Sequence, residues 1–252
     1  MRKYQVVDIV LIAIAGLFIV YNYGDWKVIG IICGILLFVS LGLKAGGAFD
    51  IRWSYFTPAI YKGNGANERT LYLTFDDGPT PITTQFLEYL HQENIKATFF
   101  CIGKQIAQYP DILKATKSAG HLIGNHTYNH SNKNGFLNKT QMLNELILCN
   151  RIIQQTVGIE PTIFRPPFGV TNPTISRAVQ QLQLKVIGWN IRSLDTITAD
   201  PTIIAQRVIQ KLKPGSIILM HDTTEKSLMA LKMIIIAARK QEYQFGMIDE
   251  IV

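Results

Sequence analysis

Apolar positions along this chain follow two regimes. Up to residue 43 they are almost continuous, with runs at 9–21 and 28–43 separated by Asn22-Tyr23-Gly24-Asp25-Trp26-Lys27. From residue 70 they form short apolar stretches near 71–75, 97–102, 122–124, 162–164, 185–188, 216–220 and 243–247. Segments of helical periodicity lie between these, near 81–93, 104–119, 139–157, 173–182, 201–212 and 225–240. Asp200-Pro201 opens one of the helices and Lys213-Pro214-Gly215 closes it. The alternation predicts an α/β domain built on a parallel sheet with right-handed crossovers, either open or closed into a barrel.

The first regime reads as a two-helix transmembrane hairpin, with Tyr21, Tyr23 and Trp26 as interfacial anchors. Each run is shorter than the roughly 20 residues that cross a bilayer comfortably, so flanking residues must extend both helices. Arg2 and Lys3 ahead of the first run would suit a secretory signal, but no small-x-small cleavage pattern follows it. A hairpin buried in a soluble core is the other alternative. Gly46-Gly47, Pro58 and Gly63-Asn64-Gly65 then predict a turn-rich connector, and Trp53-Ser54-Tyr55-Phe56 within it packs on the domain or the lipid interface. The expected organisation is two transmembrane helices over 1–43, a connector over 44–68 and an α/β domain over 69–252.

Composition supports this division. Charged residues make up only 17% of the 252, against about a quarter in soluble domains, and residues 1–43 hold only five of them. The balance of 25 basic to 18 acidic residues leaves +7. No Lys/Arg stripe or aromatic–basic interleaving accompanies it, so nucleic acid is not an expected partner. A mildly basic face toward anionic lipid or an acidic envelope polymer fits better. The three cysteines, Cys33, Cys101 and Cys149, form no CxxC and read as small buried residues.

Chemistry in parallel α/β folds gathers at the carboxyl ends of the strands. Here those ends deliver Asp76-Asp77-Gly78-Pro79, then Asn125 through His130, Arg165-Pro166-Pro167-Phe168, Trp189-Asn190 with Asp195, and His221-Asp222. The i,i+4 spacing of His126 and His130 places two imidazoles on one helical face, as chelation requires, and a carboxylate from another strand end completes a common catalytic metal set. Adjacent Asp76 and Asp77 can divide labour, one binding the cation and the other accepting a proton from water. His221 suits a general acid for a leaving amine, and Arg165 a brace that fixes one of the carboxylates.

These blocks resemble the polysaccharide deacetylase family, the NodB homology domain of carbohydrate esterase family 4. The matching blocks, in order, are Thr74 through Pro79, His126-Thr127-Tyr128-Asn129-His130, Arg165 through Phe168, Trp189-Asn190 with Asp195, and Leu219-Met220-His221. The resemblance covers about residues 69 to 250. It implies a distorted (β/α)7 barrel of the NodB type, one divalent metal (most often zinc), and hydrolysis of acetamido groups on sugars. By motif, Asp76 becomes the base, Asp77, His126 and His130 the metal ligands, Arg165 the brace of the base, Asp195 the support of the histidine, and His221 the acid. Pro167, Phe168, Trp189 and Leu219 fall in the substrate groove and acetyl pocket. The chain departs from the family's fourth block, Asp-x-x-Asp-Trp, which here reads Arg192-Ser193-Leu194-Asp195-Thr196. Arg192 replaces the first Asp, and Thr196 the Trp.

The expected activity is therefore deacetylation of an N-acetylated, peptidoglycan- or chitin-like polysaccharide or of a glycolipid sugar. The competing expectations are a metal hydrolase of another acyl amide or ester, and an inactive polysaccharide-binding module on a membrane stalk. Arg2, Lys3, Lys44 and Arg52, against Lys27 alone in the loop, favour a cytoplasmic placement of both hairpin ends. A cell-wall substrate favours an envelope-facing domain in an integral membrane protein, and this second placement is the expectation. Oligomeric state is not encoded in any of these features.

Overall fold

The computed structural model describes residues 2–63 and 69–252, so Asn64 and Gly65 of the expected connector turn lie outside the described residues. Helices α1 (Lys3–Tyr21) and α2 (Trp26–Phe49) come first. The domain then runs β1 (Ala59–Ile60), β2 (Thr70–Asp76), α3 (Thr83–Gln92), β3 (Thr98–Cys101), α4 (Gly103–Gln108), α5 (Pro110–Ser118), β4 (Leu122–Asn125) and α6 (Lys139–Val157). It continues with β5 (Ile163–Phe164), α7 (Pro173–Gln181), β6 (Lys185–Ile187), β7 (Ile191–Arg192), α8 (Pro201–Ile209), β8 (Ile217–His221), α9 (Glu225–Lys240) and β9 (Gln244–Gly246).

The strands form one sheet in the order β1-β6-β5-β4-β3-β2-β8-β7, with β9 paired to the start of β2. All named strand pairs are parallel. Strands β6 and β7 sit near opposite ends of this order, yet only Gly188-Trp189-Asn190 joins them. That link reaches at most about 14 Å, whereas six flat inter-strand spacings come to roughly 29 Å. The sheet must therefore curl on itself, and it forms a distorted barrel rather than an open sheet. The sequence pattern predicts seven strands. The two additional ones, β1 and β7, are two residues long and lack the pair of buried apolar residues that marks the equally short β5.

Strand alternation divides the core in two. Leu71, Leu73, Phe75, Phe99, Ile218 and Met220 face the surrounding helices, while Tyr72, Phe100, Ile187 and Ile217 fill the barrel interior. Cys101 and Cys149 are buried as expected, and Cys33 is half-buried in α2. The helix predicted over 104–119 is broken at Tyr109, because Pro110 disfavours helical geometry in the residue before it and opens α5 at its first position.

Helices α1 and α2 contribute only Ile29 and Gly47 to the buried residues, which argues against a hairpin sunk in a soluble core. At 19 and 24 residues they extend roughly 28 and 36 Å, so the flanking residues supply the length that the apolar runs lack. Gly46-Gly47, expected as connector, belongs to α2. A Cβ on Gly47 would lie 2.5 Å from the Tyr55 ring, and one on Gly46 would lie 2.9 Å from Trp53. The glycines let the helix end lie flat against that aromatic stretch, and no turn forms there. The base of the hairpin is clamped to the barrel. Arg2 Nη2 donates to Gln180 Oε1 at 2.7 Å, Lys3 Nζ to the Trp53 carbonyl at 2.9 Å, and Thr171 Oγ1 to the Gly47 carbonyl at 3.1 Å.

Candidate active site

Register brings the first two groups together. Asp76 ends β2 directly opposite His221, the last residue of β8, and both point into the barrel mouth. Alternation would send Asp77 to the other face, but its φ of 72° turns the chain back toward the mouth. Thr127, His130, Phe168 and Leu194 also carry positive φ. For non-glycine residues this costs about 1 kcal/mol or more each, and such strain concentrates where side chains must be aimed.

His126 and His130 do not lie on a helix, as their spacing suggests, but on the loop that leaves β4. The positive φ values at Thr127 and His130 fold that loop so that the rings meet with centroids 4.8 Å apart. Asn125 Oδ1 accepts from the Thr127 N–H at 2.7 Å, and Thr127 Oγ1 accepts from the His130 N–H at 3.1 Å. Glu145 on α6 receives both the backbone and side-chain N–H groups of Asn129.

The fit to a cation rests on spacing and on one orphaned atom. Asp77 Oδ1 is buried and has no hydrogen-bond partner. It lies 3.5 Å from His126 Nε2 and 3.3 Å from His130 Nε2. Two ligands about 2.0–2.1 Å from one ion at a tetrahedral angle stand roughly 3.3 Å apart, so the three donors have the spacing of a chelate. His126 Nδ1 donates to the Arg165 carbonyl oxygen at 2.7 Å, which leaves Nε2 bare toward Asp77. Burial works against charge on Asp77, yet the three facing imidazoles hold its carboxyl well below the usual carboxylate range.

Arg165 is fully buried and crosses the barrel interior. Its Nη1 donates to Asp76 Oδ1 at 2.8 Å and to Thr74 Oγ1 at 2.7 Å, its Nη2 to the Gly188 carbonyl at 2.9 Å, and its guanidinium lies 4.2 Å from the Phe100 ring centroid. Asp195 is equally buried. Its Oδ1 accepts from His221 Nδ1 and its Oδ2 from the His221 N–H, both at 2.8 Å, and Ser193 Oγ donates to the same Oδ1. Burial disfavours charge on His221, but the Asp195 bond and the nearby carboxylates overcome this and raise it to about 9. The remaining nitrogen, Nε2, faces Asp77 Oδ2 at 3.8 Å.

Asp76, Asp77, His126, His130, Leu219 and His221 surround a cavity of about 190 Å³, walled further by Phe168, Trp189, Arg192 and Thr196. Phe168 packs on His130 with ring centroids 5.0 Å apart. Arg165 and Asp195 stand behind the cavity. Pro167 does not line it. That residue is buried and starts the turn that presents Phe168, because its ring fixes the backbone where the chain reverses. Asp222 also leaves the rim for the interior, where Thr83 Oγ1 meets its Oδ2 at 2.5 Å and burial raises its carboxyl to about 7. The sequence reading missed Glu145 and Ser193, and it placed Asn125 at a strand end without a role. None is distinguishable from an ordinary polar residue until the loops they hold are seen.

The polysaccharide deacetylase profile matches residues 63–187. A Bacillus cereus protein named peptidoglycan-N-acetylglucosamine deacetylase is 34% identical over 192 residues, covering 72% of this chain and 70% of that one. Longer relatives are matched over as little as 39% of their length. Among solved structures, a family 4 carbohydrate esterase from Streptomyces lividans, in complex with acetate, superposes with a TM-score of 0.68 at 33% identity, over 73% of this chain and 94% of that one. A Bacillus anthracis protein described as a pseudoenzyme of the same family superposes with a TM-score of 0.72 at 29% identity, over 77% and 68%.

Proposed function

This chain belongs to the polysaccharide deacetylase family, and on that premise we propose that it is a metal-dependent hydrolase removing acetyl groups from an N-acetylated, peptidoglycan-like sugar at a membrane surface. The carrying observation is the Asp77–His126–His130 set around an unpaired carboxylate oxygen, flanked by Asp76 and His221. The fold alone does not confer activity, since a relative with it is called a pseudoenzyme. In this chain every residue assigned here to the base, the acid and the three ligands is present.

A divalent ion held by Asp77, His126 and His130, zinc being the natural choice for this donor set, would act as a Lewis acid on the acetyl carbonyl and acidify a neighbouring water. Asp76 takes the proton of that water at Oδ2, since Oδ1 is held by Arg165 and Oδ2 is the oxygen turned toward His126. Arg165 keeps the base fixed as charge moves through the site. His221 carries its proton at Nε2 and passes it to the sugar nitrogen as the C–N bond breaks. Asp195 fixes both the tautomer and the aim of that ring. Leu219, Trp189 and Phe168 enclose the acetyl methyl and the sugar ring.

A protonated His221 is required for turnover, and its proton is held up to about 9. The rate should therefore fall as pH rises through that region. His221→Ala should lose on the order of 10²–10⁴ in kcat together with this alkaline limb. Asp195→Asn should move the limb to lower pH, because the charge that retains the proton is gone. A limb left in place in the pH–rate profile of Asp195→Asn refutes the pairing.

We place the hairpin across the membrane and the catalytic domain on the envelope side, where the polymer is. The full chain should leave membranes only with detergent, and protease added to intact protoplasts should digest the domain. A chain starting near residue 50 should be active in solution but less stable, since Tyr55 and Phe56 lose the cover of Tyr4. Release by high-pH carbonate contradicts the anchor, and full protection from protease contradicts the sidedness. The activity itself is tested by incubating the purified full chain with peptidoglycan fragments. Acetate and new free amine should appear in equal amounts, and acetate without amine would mean ester cleavage instead.

A further inference from the structure

A second cleft, of about 280 Å³, adjoins the catalytic cavity and shares Phe168, Trp189 and Arg192 with it. Its charge is one-sided, with Arg52, Arg192, Arg207 and Lys211 lining it against a single carboxylate, Asp50. Arg52 is committed to Asp50, with contacts of 2.6 and 2.8 Å. Among the described residues, Arg192, Arg207 and Lys211 have no carboxylate partner. The two arginines are nonetheless held in position, since Arg207 Nε donates to the Arg192 carbonyl at 3.1 Å and the Arg192 guanidinium lies 6.0 Å from the Trp189 ring centroid. Three uncompensated cations in one concave wall repel each other and focus a positive field that an anion would relieve.

The cleft's other wall belongs to the hairpin. Phe49, the last residue of α2 and 77% exposed, lines it. Phe49 lies five residues, about 7.5 Å of helix, beyond Lys44, the first residue past the apolar run. The hairpin base is bolted to the barrel domain through Arg2 and Thr171, so no loose stalk carries the site away from the lipid surface. One end of the cleft thus opens at the membrane and the other at the catalytic cavity. Arg192, which stands where the resembling motif has Asp, reverses the charge at their junction.

Resting on the deacetylase reading above, we propose that this cleft binds the phosphate or diphosphate of a lipid-linked N-acetylated sugar and presents the sugar to the catalytic cavity. Guanidinium forks and an ammonium are the donors suited to phosphate oxygens. A neutral glycan strand would gain nothing from them. The lipid stays in the bilayer beside α2, the phosphates meet Arg192, Arg207 and Lys211, and the acetamido group reaches Asp76 and His221.

The test uses the full chain in phosphatidylcholine nanodiscs, stripped of metal so that binding is read without turnover. The ligand is farnesyl-diphosphate-linked N-acetylglucosamine. Its Kd should rise on the order of 10²-fold in the double variant Arg207→Ser/Lys211→Ser, the worth of one or two charge-assisted contacts, and should weaken with added salt. The neutral farnesyl ether of the same sugar should bind weakly and equally to both proteins. UDP-N-acetylglucosamine, carrying the diphosphate without the lipid, should bind more weakly than the farnesyl compound. Equal Kd values for the two proteins overturn the phosphate assignment, and UDP-sugar binding as tight as the lipid-linked ligand overturns the membrane route. If the double variant loses only its attraction to phosphatidylglycerol-containing nanodiscs, the cations serve the lipid surface and the proposal fails. Failure of the deacetylase reading is separate, as it would show in acetate release while leaving these Kd values untouched.

Discussion

Asp77→Ala, His126→Ala and His130→Ala are each expected to lose the bound ion and, with it, measurable acetate release. The donors are spaced as three ligands of one ion, and catalytic zinc sites typically keep three protein ligands with a fourth position open. His130→Ala is the cleanest of the three, because that ring is only half-buried and lies on a surface loop. His126→Ala also strips the Arg165 carbonyl of its buried donor, and should lower the melting temperature as well. Elemental analysis of the purified variants reads the ion directly. Full occupancy in all three would remove the proposed ligand set.

Asp76→Asn is expected to keep its ion and still lose on the order of 10²–10⁴ in rate. The amide preserves the shape beside Arg165 but cannot take a proton from water. It also leaves a buried guanidinium facing a neutral group, and breaking such a pair costs about 3–5 kcal/mol. Part of that loss is offset here, because Thr74, Gly188 and the Phe100 ring still hold the cation. The variant should therefore be folded, less stable to heat, metal-loaded and nearly inactive. If Asp76→Asn loses the ion while Asp77→Asn retains it, the two carboxylates have exchanged roles.

The reach and the limits of the sequence can be seen residue by residue. Helices α6 and α9 were legible to the residue because their periodicity is long and each begins at a clear cap, Asn138 and Thr224. Strands β1 and β7 were not, since neither offers the two adjacent buried apolar residues that mark the equally short β5. His121 sits before β4 rather than after it, on the side away from the strand ends that the sequence reading searched. His121 proves to be a satisfied core residue, accepting from the Ala97 N–H at 3.1 Å and lowered to about 4 by burial. Strand-end logic placed Asp222 on the rim, although the chain turns it inward behind Gly78. The i,i+4 spacing brought the two imidazoles together for the wrong reason. It suggested a helical face, and the structure uses a loop with two left-handed residues instead. Positive φ at a non-glycine residue leaves no mark in hydropathy, and neither does the docking of α2 through Gly46 and Gly47. For that reason the basic cleft between hairpin and barrel could not be foreseen.

The central claim is that acetyl removal depends on one ion held by Asp77, His126 and His130. Its most direct test is to strip the full chain with a chelator and titrate zinc back while following acetate release from N-acetylated peptidoglycan fragments. The account predicts no acetate without metal, then a linear rise that ends at one equivalent per chain. Undiminished release from the stripped protein, or none at any zinc concentration, would contradict it.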